Sequence, residues 1–278
     1  LTKCSSFPIR DIMKLHLRSS MIILFALVLI AFSIGLKPVS DFQAVAAIKG
    51  QKPSTYLYDK ARRNRLLLVG TLHSNNGVQD LITQSLPGLV STGGLNTLFV
   101  EIPSDQQPAI DRFMEGSSTI DEIHMWPIIA TNAYFRLISR ARDLGLDIVA
   151  IDNNSDPSIP RDTWMAQRVA EFLNVHPEAR GMIVVGNRHV LKNVPWACGK
   201  GKTLADNLSG FKPFSVIIWP GSMGTAESTG LDLDPDHFDG VKDPTLNCIN
   251  AESDLSLPSV ADGIILMQRE QSVTAQLD

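Results

Sequence analysis

Two histidines stand in matched settings: "LLLVGTLH" (66–73) and "MIVVGNRH" (182–189) each close an apolar run with a glycine and place His73 or His189 three residues later. Two carboxylates end apolar runs as well, Glu101 in "TLFVEI" (97–102) and Asp152 in "DIVAID" (147–152). Imidazole nitrogens and carboxylate oxygens are the usual ligands of zinc and similar divalent ions, and three protein ligands leave one position open for water. Water held there loses a proton near neutral pH and becomes a nucleophile. His73, Glu101 and His189 therefore form a candidate metal set, with Asp152 as a fourth ligand or as the partner that orients a histidine. Without a metal, His73 or His189 can instead serve as general base, with Glu101 orienting it. Arg161 follows Pro160 at the start of an amphipathic segment, where its guanidinium can hold an anionic group or stabilise developing negative charge. Its neighbour Asp162 reads as a helix cap or a first-turn charge.

Such residues act together only if the fold gathers them. Short runs rich in Val, Ile and Leu recur at 65–70, 97–102, 147–152, 182–186 and 214–219, with a weaker sixth at 263–268. They mostly lack period-2 alternation, which is how strands buried on both faces read. Between them, 77–90, 105–115, 121–144 and 161–175 carry apolar residues at helical spacing. The alternation predicts an α/β fold: a mostly parallel central sheet flanked by helices on both faces. Ligands gather beyond the carboxyl ends of such strands, and His73, Glu101, Asp152 and His189 all follow or end a strand there. A glycine at the strand end lets the chain turn away sharply and brings backbone close to whatever is bound.

The N-terminus carries Lys14, His16 and Arg18, then "MIILFALVLIAFSIGL" (21–36), then "AVAA" (44–47). That is the order of a secretory signal. An uncleaved membrane anchor fits the same residues, since 16 apolar positions fall a little short of the ~20 that span a bilayer. Residues 1–46 are thus expected to be a signal peptide or N-terminal anchor, and 47–278 a single α/β domain, periplasmic or secreted. Membrane contact is expected only through the N-terminal segment. Residues 47–278 hold 20 Lys/Arg against 27 Asp/Glu, a formal charge of −7, which argues against a nucleic-acid binder. In an oxidising compartment Cys198 and Cys248 are either a disulfide or two free thiols.

Several other stretches invite chemistry and fail. "GKGKT" (199–203) lacks the upstream glycine and the preceding strand of a phosphate loop. "DLDPDHFDGVKD" (232–243) has acids in a calcium-loop register, but His237 stands where the turn needs glycine. No Gly-x-Ser-x-Gly elbow surrounds Ser155 or Ser222. His124, Met125 and Trp126 read as packing or pocket wall. Residues 221–260, rich in Gly, Pro, Ser and Asp, read as a long excursion before the last strand.

Taken together, "LLLVGTLHSNNGVQDLI", "FVEIP", "RDTWMAQRVAEFL" and "MIVVGNRHV" resemble the Tiki/TraB/ChaN-like/erythromycin-esterase superfamily over roughly residues 62–192. The resemblance implies site roles for His73, Glu101, Arg161 and His189. Its branches imply different activities: metal-dependent proteolysis with Mn or Co, metal-free lactone hydrolysis by histidine and glutamate, or haem binding. Thr71 departs from the Gly-Glu-x-His form of the esterase branch and fits the Gly-Thr-x-His form of the Tiki/TraB branch. The expected function is hydrolysis of a peptide, ester or lactone bond in a small-molecule or peptide substrate, with a divalent metal (Mn, Co or Zn). The alternative is a ChaN-type binder of haem or another iron compound. Haem-binding relatives use tyrosine, which makes Tyr134 the candidate haem ligand; no Cys-x-x-Cys-His attachment site exists.

Overall fold

The computed structural model describes residues 49–73, 75–153, 156–194, 201–220, 228–238 and 256–268. The expected signal or anchor, Cys198, Cys248 and most of the 221–260 excursion lie outside the described residues. Among those described, no helix is long and apolar enough to cross a membrane.

The predicted strands form as β1 (Leu66–Thr71), β2 (Thr97–Pro103), β3 (Asp147–Asp152), β4 (Gly181–Gly186), β5 (Phe214–Pro220) and β7 (Gly263–Met267). The order across the sheet is β3-β2-β4-β1-β5-β7, all parallel, and a short β6 (Thr229–Asp232) pairs antiparallel on the outer edge of β7. The architecture is the expected α/β layer arrangement. Residues of one strand face alternate layers: Leu66 and Leu68 enter one apolar core, Leu67 and Val69 the other. Both faces are therefore dry, which is why the runs carry no polar alternation.

One core packs α5 (Arg161–Val175) and the single-turn helices α6 (Leu204–Asn207), α7 (Pro235–Phe238) and α8 (Leu257–Val260) against the sheet. The other packs α1 (Pro53–Arg63), α2 (Asn76–Ser91), α3 (Gln107–Met114) and α4 (Asn132–Asp143). Asn75 caps α2 by accepting from the Val78 amide, and Thr131 caps α4 by accepting from the Tyr134 amide. The helix expected over 121–144 therefore begins only at Asn132. Residues 123–131 form a non-helical arm that runs past Pro127 and buries Ile123 and Ile129. Both α1 and β6 arise where the sequence carries no strong pattern. They hold each other: Tyr56 and Lys60 of α1 donate to Asp232 at 2.9 and 2.7 Å, and the Tyr56 ring lies against Gly230 and Gly263.

Two details of the sheet matter for chemistry. β4 lies between β1 and β2, so Gly186 at its end is in register with Thr71 on one side and adjoins the end of β2 on the other. The β2–β3 register advances from Val100↔Ala150 to Pro103↔Asp152, which puts one extra residue into β2 across Glu101 and Ile102. A bulge of this kind bends the strand and re-aims a side chain. Glu101 sits in it.

Candidate active site

Each Gly-x-x-His motif makes room for the other. A β-carbon on Gly70 would stand 2.3 Å from Asn187 Oδ1 and 2.9 Å from Asn187 Cα, because the 3-10 turn Asn187–Val190 crosses the end of β1. A β-carbon on Gly186 would stand 2.9 Å from His73 Nε2 and 3.6 Å from His189 Cδ2. Neither glycine shows positive φ, so close approach and not turn geometry requires them.

Both imidazoles converge on one carboxylate. Glu101 is 3% exposed; its Oε2 lies 3.4 Å from His73 Nε2 and its Oε1 lies 3.6 Å from His189 Nε2. Glu101 is fixed by two short hydrogen bonds: Oε2 accepts from the Gly186 amide at 2.8 Å and Oε1 from Arg161 Nη2 at 2.6 Å. His189 is buried and its Nδ1 meets Asp162 Oδ1 at 2.8 Å, while Asp162 Oδ2 accepts from the Leu204 amide. Asp162 is thus the partner of an imidazole, a role that the sequence reading assigned to a cap. The signal for it was weak: an acid at a helix start has a local explanation, and its partner lies 27 positions away.

Arg161 is held like a clamp. Its Nε and Nη2 form a fork on Asp152 at 2.7 and 2.5 Å, and Nη2 uses its second hydrogen on Glu101. Its Nη1 has no partner among the described residues, and the side chain is 43% exposed. Asp152 is fully buried and accepts from Arg161 and the Asn153 amide at Oδ1, and from Arg161 and Trp126 Nε1 at Oδ2. Trp126, on the arm before α4, therefore braces the site from 26 residues away in sequence.

The environments push the two histidines apart. Burial lowers the His73 pKa, aided by the nearby charges of His189 and Arg161 and opposed by Glu101 and Asp152. Burial also acts downward on His189, but the hydrogen bond and charge of Asp162, with the charge of Glu101, outweigh it and raise that pKa. The two imidazoles of one site are thus pushed in opposite directions.

All four acceptor positions of the Asp152 carboxylate are taken by hydrogen bonds, two of them from Arg161, which it anchors. Among the described residues no group of three or more His, Cys, Asp or Glu side chains is set to hold a metal ion. The Arg161 guanidinium pairs with both buried carboxylates, Glu101 and Asp152. Tyr134, the expected haem ligand, is 2% exposed with its hydroxyl buried. Burial and the charge of Glu101 push its pKa well above the usual phenol range.

No protein-family model matches the sequence, and no curated protein matches it either. The fold, however, recurs among solved structures, among them an erythromycin esterase, as the paired motifs implied at the level of fold. An erythromycin esterase, EreC in its open conformation, matches with a TM-score of 0.55 at 10% identity over 80% of this chain and 98% of that one. A Bacillus cereus protein matches at 0.53 and 12% identity, over 80% and 94% of the two chains. The type III effector HopBA1 matches at 0.50 and 15% identity, over 84% and 99%.

Proposed function

We propose that this chain is a hydrolase in which His73 carries the proton transfers and His189 supplies positive charge, the two flanking Glu101, with a fixed guanidinium in place of a metal ion. The observation that carries the reading is Glu101 itself, a buried carboxylate 3.4 Å from one imidazole Nε2 and 3.6 Å from the other. A buried carboxylate beside a base stabilises the positive charge that the base acquires with its proton.

In the proposed reaction His73 takes a proton from water as the water oxygen bonds to a carbonyl carbon of an ester, lactone or peptide. The carbonyl π bond breaks and its oxygen becomes the oxyanion. Arg161 offers its outward Nη1 hydrogens to that oxygen, and the His189 imidazolium adds positive charge beside it. Glu101 stabilises the proton now on His73. Collapse of the tetrahedral intermediate breaks the bond to the leaving group, which receives the proton from His73. Support for the acid–base assignment comes from the opposite pKa directions of the histidines, and support for the Arg161 role from its fork on Asp152, which leaves one edge free.

The test is turnover by the purified full chain against chromogenic esters, lactones and a peptide library, with a chelator present. Turnover that survives the chelator and falls about 10²–10⁴-fold in His73→Ala is expected for general-base catalysis. Turnover that His73→Ala leaves unchanged, or that the chelator abolishes and a divalent ion restores, overturns the proposal.

A further inference from the structure

We infer that a cavity at the amino ends of the strands, opposite the candidate active site, binds a small anionic polyol: Lys212 and Lys192 hold its anionic group, and unengaged oxygens of Asp206, Asp262, Asn64 and Asn193 accept from its hydroxyls. The inference stands apart from the hydrolytic reading, and its test uses no turnover.

The cavity has a volume of about 410 Å³, enough for a small organic molecule. Asn64 precedes β1, Phe214 opens β5 and Asp262 precedes β7, while the segment after β4 supplies Lys192, Asn193, Asp206 and Ser209. Among the described residues only two that are not glycine have left-handed backbone, Asn193 at φ 56° and Lys212 at φ 49°, and both line this cavity. Asparagine tolerates that conformation. Lysine is strained in it, and glycine would adopt it freely. A strained residue that the fold keeps points to function, and the side chain kept here is an exposed ammonium at the cavity wall.

The hydrogen bonds already made define what is left for a ligand. Asn64 Nδ2 donates to the Lys60 carbonyl at 2.9 Å and Asn193 Nδ2 to the Ser259 carbonyl at 3.0 Å, so each amide has its oxygen to offer. Asp206 Oδ1 accepts from the Asn193 amide at 2.9 Å, and Asp262 Oδ2 accepts from the Ser215 amide at 2.7 Å and from Lys192. The second oxygen of each carboxylate has no hydrogen-bond partner among the described residues. Acceptors in this state call for a ligand rich in O–H donors. The spare donors are ammonium hydrogens: Lys192 uses its Nζ on Asp262 alone, and Lys212 has no carboxylate partner among the described residues. Charge selects an anion as well. Two lysines and two aspartates cancel within the lining, but Arg65 and Arg180 at the same strand ends donate only to backbone carbonyls, one of them that of Asn64 at 3.2 Å from Arg180 Nη2. No carboxylate among the described residues offsets these two guanidiniums, and the potential at the cavity is positive. Pro213 and Phe214 add an apolar wall for a carbon skeleton.

The probes are glucose 6-phosphate and glucuronate, which share the chemistry and differ in the anion, with glucose and inorganic phosphate as the separate halves. The purified full chain is titrated with each by calorimetry, and melting temperatures are recorded with and without them. At least one of the two anionic sugars should bind with one equivalent and raise the melting temperature, and the tighter of the two tells phosphate from carboxylate. Glucose and inorganic phosphate should each bind at least about 10-fold more weakly, because each lacks one set of charge-assisted or hydroxyl contacts. Lys212→Gly and Lys212→Asn remove the ammonium with residues that suit the left-handed backbone, so both should fold and bind at least about 10-fold more weakly than the native chain. Lys212→Arg keeps the charge and should stay close to native binding. His73→Ala, at the other end of the strands, should bind like the native chain. No binding of either anionic sugar overturns the inference. So does binding that both Lys212→Gly and Lys212→Asn leave intact, that His73→Ala abolishes, or that glucose or inorganic phosphate alone matches.

Discussion

His73 lies so close over Gly186 that a β-carbon there would come to 2.9 Å of its Nε2, and the atom it would strike is the far end of a side chain. At Gly70 the same addition would strike Asn187 Cα at 2.9 Å and Val190 Cγ2 at 2.8 Å, atoms that cannot swing away. The two alanine variants should therefore separate function from stability. Gly186→Ala should displace His73 and lower kcat/KM by about 10²-fold, the cost of a misplaced reacting group, with little loss of stability. Gly70→Ala should destabilise the fold by about 1–3 kcal/mol through overpacking. Urea denaturation and kinetics on both variants decide it, and a reversed pattern would show that the imidazole is not where the chemistry needs it.

In the proposed reaction His73 acts as the neutral base and His189 as the imidazolium, so the rate should be bell-shaped in pH. The His73 pKa is lowered, which puts the acid limb below about 6.5, and the His189 pKa is raised, which puts the alkaline limb above about 6.5. Asp162→Asn removes the charge that holds His189 protonated against its burial. The alkaline limb should then move to lower pH while the acid limb stays. If the acid limb moves instead, the roles of the two histidines are exchanged.

Stability should follow the same pair with opposite signs. His189, whose pKa is raised on folding, contributes fully below about pH 6.5, and that contribution is lost as pH rises through the folded value. His73, whose pKa is lowered, contributes above about pH 6.5 and loses it as pH falls through the folded value. The contribution of this pair should peak near pH 6.5, the ordinary value of an exposed imidazole. Melting curves of His189→Gln should lack the alkaline decline of this pair, and an unchanged decline would assign it to other groups.

Glu101→Gln should lose both activity and stability. The carboxylate accepts from Arg161 at one oxygen and from the Gly186 amide at the other, and an amide has only one acceptor. One donor would face another donor in a buried place, and Arg161 would lose one of its two partners. A loss of about 3–5 kcal/mol is the usual result of breaking a buried ion pair on one side. Chemical denaturation measures it, and a variant as stable as the native chain would mean that the clamp is not load-sharing.

Much of this was legible in the chain. The six apolar runs are the six parallel strands, because burial on both faces writes itself as continuous Val, Ile and Leu. Topology then delivers His73, Glu101, Asp152 and His189 to one edge. The partners of those residues were not legible. Asp152 carried two readings in sequence, fourth ligand or partner of a histidine, and is the counter-ion of an arginine nine positions on. Asp162 had an adequate local explanation at the start of α5, and Trp126 looked like pocket wall. Pairing of this sort depends on side-chain direction at strand ends, and for Glu101 that direction is set by a bulge with no glycine or proline at Glu101 or Ile102 to announce it. Likewise β6 is an edge strand of four residues in a Gly- and Asp-rich stretch, and only the ring of Tyr56 and the pairing to β7 give it a reason to extend.

The place of β4 in the sheet has a consequence for biogenesis. β1 and β2 share no ladder; each pairs with β4, which is made about eighty residues after β2. A ribosome that has released the chain only through β3 holds a pair, β2 with β3, and a lone β1, with Glu101 lacking the amide that will fix it. Insertion of one late strand, β4, delivers Gly186 beneath His73 and His189 beside Glu101. The residues of the site are thus assembled in one event, and a chain that stops before β4 lacks the Gly186 amide and His189 together.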